Sequence, residues 1–190
     1  RVIRRADACQ ALYRDDYLTV SHRWEDPVVP DLENAQLEAI LDYLDEHPSI
    51  KWVWYDFWCM PQGDRTPEEK EEFDTMLPDI NLLYLGTSVL LILDNSYMSR
   101  FWTQMEAWLS MRKATPHGLR HAADASTLVA KGHGARATAV CIHAAKEGEE
   151  GMKKALLDTW LAKSAEEARE VLAKPDVFVT NKKDKEVQLV

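Results

Sequence analysis

Ser88-Val89-Leu90-Leu91-Ile92-Leu93 runs six residues without a charge and stops at Asp94-Asn95-Ser96. A strand with one wet face alternates apolar and polar residues. A short, continuous apolar run bounded by turn residues is the mark of a strand buried on both faces. Three other runs share this character: Tyr17-Leu18-Thr19-Val20-Ser21, Trp52-Val53-Trp54-Tyr55 and Ala137-Thr138-Ala139-Val140-Cys141-Ile142. A fifth, Asp176-Val177-Phe178-Val179-Thr180, follows Pro175.

Helical periods fill the intervals. Leu37, Ile40, Leu41 and Leu44 share one face, with Asp31 placed to cap the helix. Thr66-Pro67-Glu68-Glu69 supplies an N-cap hydroxyl, a proline in the first turn and the glutamate of a capping box. The helix it opens carries Phe73, Met76, Leu77, Ile80 and Tyr84, and Pro78 inside that pattern predicts a kink or break. Ser99 is placed to cap a third helix bearing Phe101, Met105, Trp108, Leu109 and Arg112. Met152, Leu156 and Trp160 mark a fourth, and Ser164-Ala165-Glu166-Glu167 opens a fifth that ends near Lys174-Pro175. Residues 114 to 136, rich in Gly, Ala and His, read as a long loop or partly helical insertion, and 181 to 190 as a tail.

Strands alternating with helices predict an α/β fold, a doubly wound parallel sheet with helices on both faces. The expected order is the flavodoxin-like 2-1-3-4-5, with about five strands in one domain. At 190 residues one domain is comfortable and two are cramped. The chain starts at Arg1, which suggests an excerpt from a longer protein. A net charge of −9 argues against nucleic acid as a partner, because gripping phosphates needs a basic surface. Basic spots at Arg1–Arg5 and Lys182–Lys185 read as solvated termini. No apolar run is long enough to cross a bilayer and no secretory leader is visible. Three cysteines, Cys9, Cys59 and Cys141, are too few for a disulfide scaffold, so the expected location is cytoplasmic.

Ligands of such sheets bind beyond the carboxyl ends of the strands, where the winding direction reverses. Three segments meet there: Ser21-His22-Arg23-Trp24-Glu25-Asp26, Asp56-Phe57-Trp58-Cys59, and Asp94-Asn95-Ser96-Tyr97 leading to Trp102 and Glu106. Topology alone therefore predicts a crevice dense in polar and aromatic groups.

The first of these segments resembles the first-strand motif of TIR domains: serine, an aromatic-like residue, arginine, then an acidic pair. Tyr97-Met98-Ser99-Arg100-Phe101-Trp102-Thr103-Gln104-Met105-Glu106 resembles the TIR segment in which a tryptophan precedes the functional glutamate by four residues. Trp54-Tyr55-Asp56-Phe57-Trp58-Cys59-Met60-Pro61-Gln62 is similar to the fungal heterokaryon-incompatibility (HET) domain, as is the spacing of Ser21 and Trp24. The likeness covers residues 17 to 112. His22 stands where TIR domains usually carry Phe or Tyr, and Trp24 replaces a small residue.

The resemblance implies cleavage of the nicotinamide–ribose bond of NAD, with Glu106 catalytic and no metal. It assigns substrate binding to Ser21, His22, Arg23, Trp24, Asp56, Trp58, Ser99 and Trp102. It also implies self-association in defence or cell-death signalling. One carboxylate is chemically adequate for that step. Nicotinamide leaves as a neutral ring and needs no proton, so the enzyme has mainly to stabilise an oxocarbenium-like ribose. Trp24, Trp58 or Trp102 would stack on a flat base, and Arg23 would meet a phosphate. Two other functions fit the same residues: a TIR or HET module that acts by assembly without catalysis, and a nucleoside deoxyribosyltransferase-like enzyme.

Plainer roles compete. Most helical glutamates are simply solvated, Asp56 suits a turn cap, and buried cysteine is more often inert than nucleophilic. Trp52, Trp54, Trp108 and Trp160 fall at core positions. His117 and His121 have helical ligand spacing but no second well-spaced pair. Gly132-His133-Gly134 lacks the lysine of a phosphate loop.

Overall fold

The computed structural model describes residues 3–122 and 136–189; the Gly132-His133-Gly134 stretch and Arg1 lie outside them. The four continuous apolar runs become β1 (Tyr17–Ser21), β2 (Trp52–Trp54), β3 (Ser88–Leu93) and β6 (Ala137–Cys141). They pair in parallel in the order β2-β1-β3-β6, the first four places of a flavodoxin-like sheet.

Period-two alternation splits the core in two. Leu18, Val20, Leu90 and Ile92 pack with Ile40 and Tyr43 of α2 (Ala35–Glu46) on one face. Val89, Leu91, Leu93, Ala139 and Cys141 pack on the other. Their partners there come from α5 (Asn81–Gly86), α6 (Phe101–Ser110), α7 (Glu149–Trp160) and α8 (Ala165–Leu172). Every residue of β3 is buried. A buried Leu or Ile contributes about 1.5–3 kcal/mol, so this strand anchors the domain.

Local signals act as the sequence implies. Thr66 and Glu69 form a full capping box on α4 (Pro67–Met76), and Ser164 and Glu167 form another on α8. Pro78 interrupts the following pattern: a 3₁₀ turn over Leu77–Asp79 separates α4 from α5. Asp31 caps α2 from three residues outside the N-cap position, accepting from the backbone N–H groups of Gln36 (3.1 Å) and Leu37 (2.8 Å).

Several expectations are corrected. The buried face of α2 is Gln36, Ile40 and Tyr43, and Leu41 points to solvent. Buried Gln36 accounts for this rotation. Its amide donates to the carbonyls of Arg23 and Pro30 and accepts from the Tyr55 hydroxyl, so a polar side chain is fully satisfied inside. Trp52 is 48% exposed because β2 is a three-residue edge strand. Residues 176–180 make an isolated bridge, Phe178 to Arg100, and are not a strand of the sheet. Arg112 is not helical: it starts β4 (Arg112–Thr115), which pairs antiparallel with β5 (Gly118–His121). His117 and His121 therefore sit in a hairpin, and their spacing is not that of one helix face. The expected tail forms α9 (Lys182–Gln188), tied to the body through Gln188 and Asn81. Among the described residues, no helix is long and apolar enough to cross a membrane.

The short helix α1 (Arg5–Cys9) crosses α5 at Gly86. A Cβ on Gly86 would meet Ala8 Cα at 2.7 Å and Ala8 O at 2.9 Å. Gly86→Ala is therefore expected to destabilise the fold by about 1–3 kcal/mol through overpacking. Urea denaturation should show the loss persisting on an Ala8→Gly background, since the clash is with backbone. A neutral Gly86→Ala would contradict this packing.

Candidate active site at the carboxyl ends of the strands

Alternation along β1 turns Leu18 and Val20 toward α2, which leaves Thr19 and Ser21 facing α6. The Ser21 hydroxyl donates to Glu106 Oε2 at 2.6 Å. A hydroxyl has one proton to give, so the 2.6 Å contact between Ser21 and Tyr97 is made by the tyrosine donating. Glu106 is only 8% exposed. Burial pushes its carboxyl from the ordinary 4.5 up to about 7. The hydrogen bonds of Ser21 and Tyr84 and the charge of His22 pull it down, and the Asp56 carboxylate raises it further. Tyr97 and Tyr84 are both pushed well up, first by burial and next by the Glu106 charge.

One residue further on, the chain turns to the opposite wall. His22 Nε2 lies 2.9 Å from Asp56 Oδ1, and its ring stacks on Tyr55 with centroids 4.1 Å apart. Its other nitrogen, Nδ1, is buried and meets no hydrogen-bond partner among the described residues. Asp56 opens the short helix α3 (Asp56–Cys59) and also accepts from the Trp24 indole at 2.9 Å and from the Phe57 N–H at 2.6 Å. Trp24 packs edge-on against Phe57. Ser21, His22, Trp24, Asp56 and Glu106 thus belong to one connected neighbourhood.

The remaining candidates are placed differently. Arg23 is committed to Asp94, through Nε at 2.6 Å, and to the Trp24 carbonyl at 2.7 Å. Ser99 does not cap α6. Arg100 occupies the N-cap position, and the Ser99 hydroxyl donates to the Ser96 carbonyl within a 3₁₀ turn. Thr103 instead returns a hydroxyl to the Tyr97 carbonyl at 2.6 Å. Trp102 lies edge-on to Phe101. Trp58 is exposed beside Tyr55 on the α2 side.

Tyr84, Tyr97, Tyr55 and Asp94 were not singled out as site residues. Tyr97 carries a usable signal, because a tyrosine in the turn just beyond a buried strand needs a partner for its hydroxyl. A cleft of ≈ 390 Å³ runs along β2, lined by Tyr17, Trp52, Trp54, Cys59, Met60 and Leu83 among others, and none of the expected site residues lines it.

The high position of the Glu106 carboxyl has a thermodynamic sign. The folded chain holds this proton more tightly than the unfolded chain, so stability falls as pH rises from about 4.5 through about 7. The gap corresponds to roughly 3 kcal/mol. Glu106→Gln should therefore match the wild type near pH 4.5 and exceed it by an amount of that order near pH 8, as read by urea denaturation. Equal stabilities at the higher pH would mean the carboxyl is not desolvated. Comparison with protein-family models, with curated proteins and with solved structures finds no match, so the TIR and HET likeness rests on the motif residues themselves.

Proposed function

We propose that this domain is a TIR-like enzyme that cleaves the nicotinamide–ribose bond of NAD, with Glu106 as its catalytic carboxylate. The observation that carries the reading is a buried glutamate, linked to Ser21 at the end of the first strand and pushed to about 7 by burial. In the proposed reaction the C1′–N bond of the ribose breaks and its electron pair passes to the pyridinium nitrogen, so nicotinamide departs neutral. Ionised Glu106 stabilises the positive charge left on the sugar carbon, most effectively where water is excluded. Water then adds to C1′ and gives up a proton, for which a carboxylate titrating near neutrality is a suitable acceptor. Asp56 holds the Trp24 indole, which offers a flat face to a base. Arg23 enters this scheme through Asp94, positioning the strand ends, and a phosphate would have to compete for it. The setting we infer is self-association in defence or cell-death signalling.

A non-catalytic assembly module is the second reading. It is favoured by the internal satisfaction of the network: Asp56 already accepts three donors, and Arg23 already has its carboxylate.

The test is release of free nicotinamide from NAD, measured at high protein concentration and with a crowding agent. Glu106→Gln should lower release by roughly 10²–10³-fold while the circular dichroism is kept. Because the ionised form acts, kcat/KM should rise with pH and level off above an inflection near 7. A flat profile across that range, or full activity in Glu106→Gln, would remove Glu106 from the chemistry. Base release from deoxynucleosides instead of NAD would select the deoxyribosyltransferase-like alternative. Silence in every assembled preparation would leave the interaction module.

A further inference from the structure

The loop between β1 and α2 is built inside out. Three of its acidic side chains, Glu25, Asp26 and Asp31, accept from backbone N–H groups of the loop and of the start of α2. Asp26 accepts from Val28 N at 2.8 Å and Val29 N at 3.2 Å, Glu25 accepts from Leu32 N at 2.9 Å, and Gln36 holds the Pro30 carbonyl. Glu25 is further pinned by His143, and Asp31 is spent on the α2 cap. The apolar side chains of the same loop turn outward: Val28 is 74% exposed and Leu32 61%. The loop is thus fixed by hydrogen bonds in an arrangement that leaves its apolar groups in water.

The exposed residues continue onto neighbouring elements. A hollow of ≈ 190 Å³ is lined by Val29, Leu37, Ile40, Tyr55, Phe57 and Trp58, with others. Trp58 stands over it, more than half exposed. Leu41, also more than half exposed, lies four residues beyond Leu37 and so on the same flank of α2. An apolar hollow and a set of exposed aliphatic and aromatic side chains on rigid supports mark an interaction surface.

Charge narrows the partner. Residues 24 to 46 hold eight acidic side chains, Glu25, Asp26, Asp31, Glu33, Glu38, Asp42, Asp45 and Glu46, and no lysine or arginine occurs between Arg23 and Lys51. Asp42, Asp45 and Glu46 crowd the carboxyl-terminal half of α2, where the helix dipole disfavours anions, and its last turn has no basic residue.

We propose that the β1–α2 loop and the outer flank of α2 form a docking surface for a cationic amphipathic helix from another protein. Its apolar face would insert a large side chain into the hollow beside Trp58, and its lysines or arginines would meet the acids of α2. This is the helix-in-groove mode of recognition, with charge setting orientation and salt dependence. It does not depend on the catalytic reading.

The probe is a fluorescently labelled helical peptide of about five turns, leucine on one face and lysine on the other. Two comparison peptides accompany it, a scrambled isomer of the same composition and an acidic counterpart with glutamate for lysine. Fluorescence anisotropy against the full chain should show the amphipathic cationic peptide binding at least roughly tenfold tighter than either comparison. Binding should weaken as salt rises. Val29→Ser with Leu41→Ser, and separately Asp42→Lys with Asp45→Lys, should each weaken it by a similar factor in proteins whose circular dichroism is unchanged. All four positions are at the surface, and none belongs to the Glu106 neighbourhood. Equal affinity for the scrambled isomer, unaltered binding in both variants, or no binding would overturn the proposal. Self-association of the chain that vanishes in these variants would give the surface to a second copy and overturn it as well.

Discussion

The parallel pairing of β1 with β3 is the constraint on which the remainder of the molecule depends. Leu18 to Ser21 sits in register with Ser88 to Leu91, so the carboxyl ends of the two strands lie at the same edge of the sheet, β3 running two residues further. The pairing also sets which side chains face which helix. Because alternation in a strand has a period of two, a slip of one residue would send Ser21 to the α2 side and bring Val20 toward Glu106. A buried carboxyl facing a valine would have lost the donor that lowers the cost of its charge. The hydrophobic register and the polar site are therefore one specification. The six buried residues of β3, which hold both halves of the core, enforce it.

The fold was legible to the extent that it follows from local patterns. Strands buried on both faces announce themselves as continuous apolar runs, and both capping boxes and the break at Pro78 are written within a few residues. Patterns fail where a polar side chain is satisfied by distant groups. Periodicity alone puts Leu37, Ile40, Leu41 and Leu44 on the core side of α2; Ile40 is buried and Leu44 packs beside it, but Leu41 faces solvent. The helix is instead turned so that Gln36 reaches three partners from the β1 loop, from Pro30 and from Tyr55. Val177 and Phe178 have the composition of a strand, yet the backbone of Phe178 pairs with Ser99 and Phe101 at the start of α6, and that of Val177 meets Lys174 and the Lys185 ammonium.

The neighbourhood around Glu106 was legible in outline for a topological reason. Parallel order brings Ser21, Asp56 and the start of α6 to one end of the sheet whatever their side chains do. Its chemistry was less so. Tyr84 is separated from Glu106 by a helix boundary, a strand and a 3₁₀ turn, and Asp94 claims Arg23 from the tip of another strand. No spacing rule predicts such meetings. The tryptophans expected in the core divide by element: Trp160 is fully buried, while Trp52, on a short edge strand, keeps much of its ring in water.

The line of contacts from Tyr97 through Ser21 to Glu106 has a direction as well as a length. With the carboxylate ionised, both hydroxyl protons lie on the side nearer Glu106. When Glu106 takes up a proton, it can itself donate to Ser21, and the serine can turn its own hydrogen toward Tyr97. A single added proton would then reverse two dipoles at once without moving any heavy atom. The ionisation of one acid in the middle of α6 becomes an electrical event in the turn that follows β3, carried by rotation of the hydroxyl bonds between them.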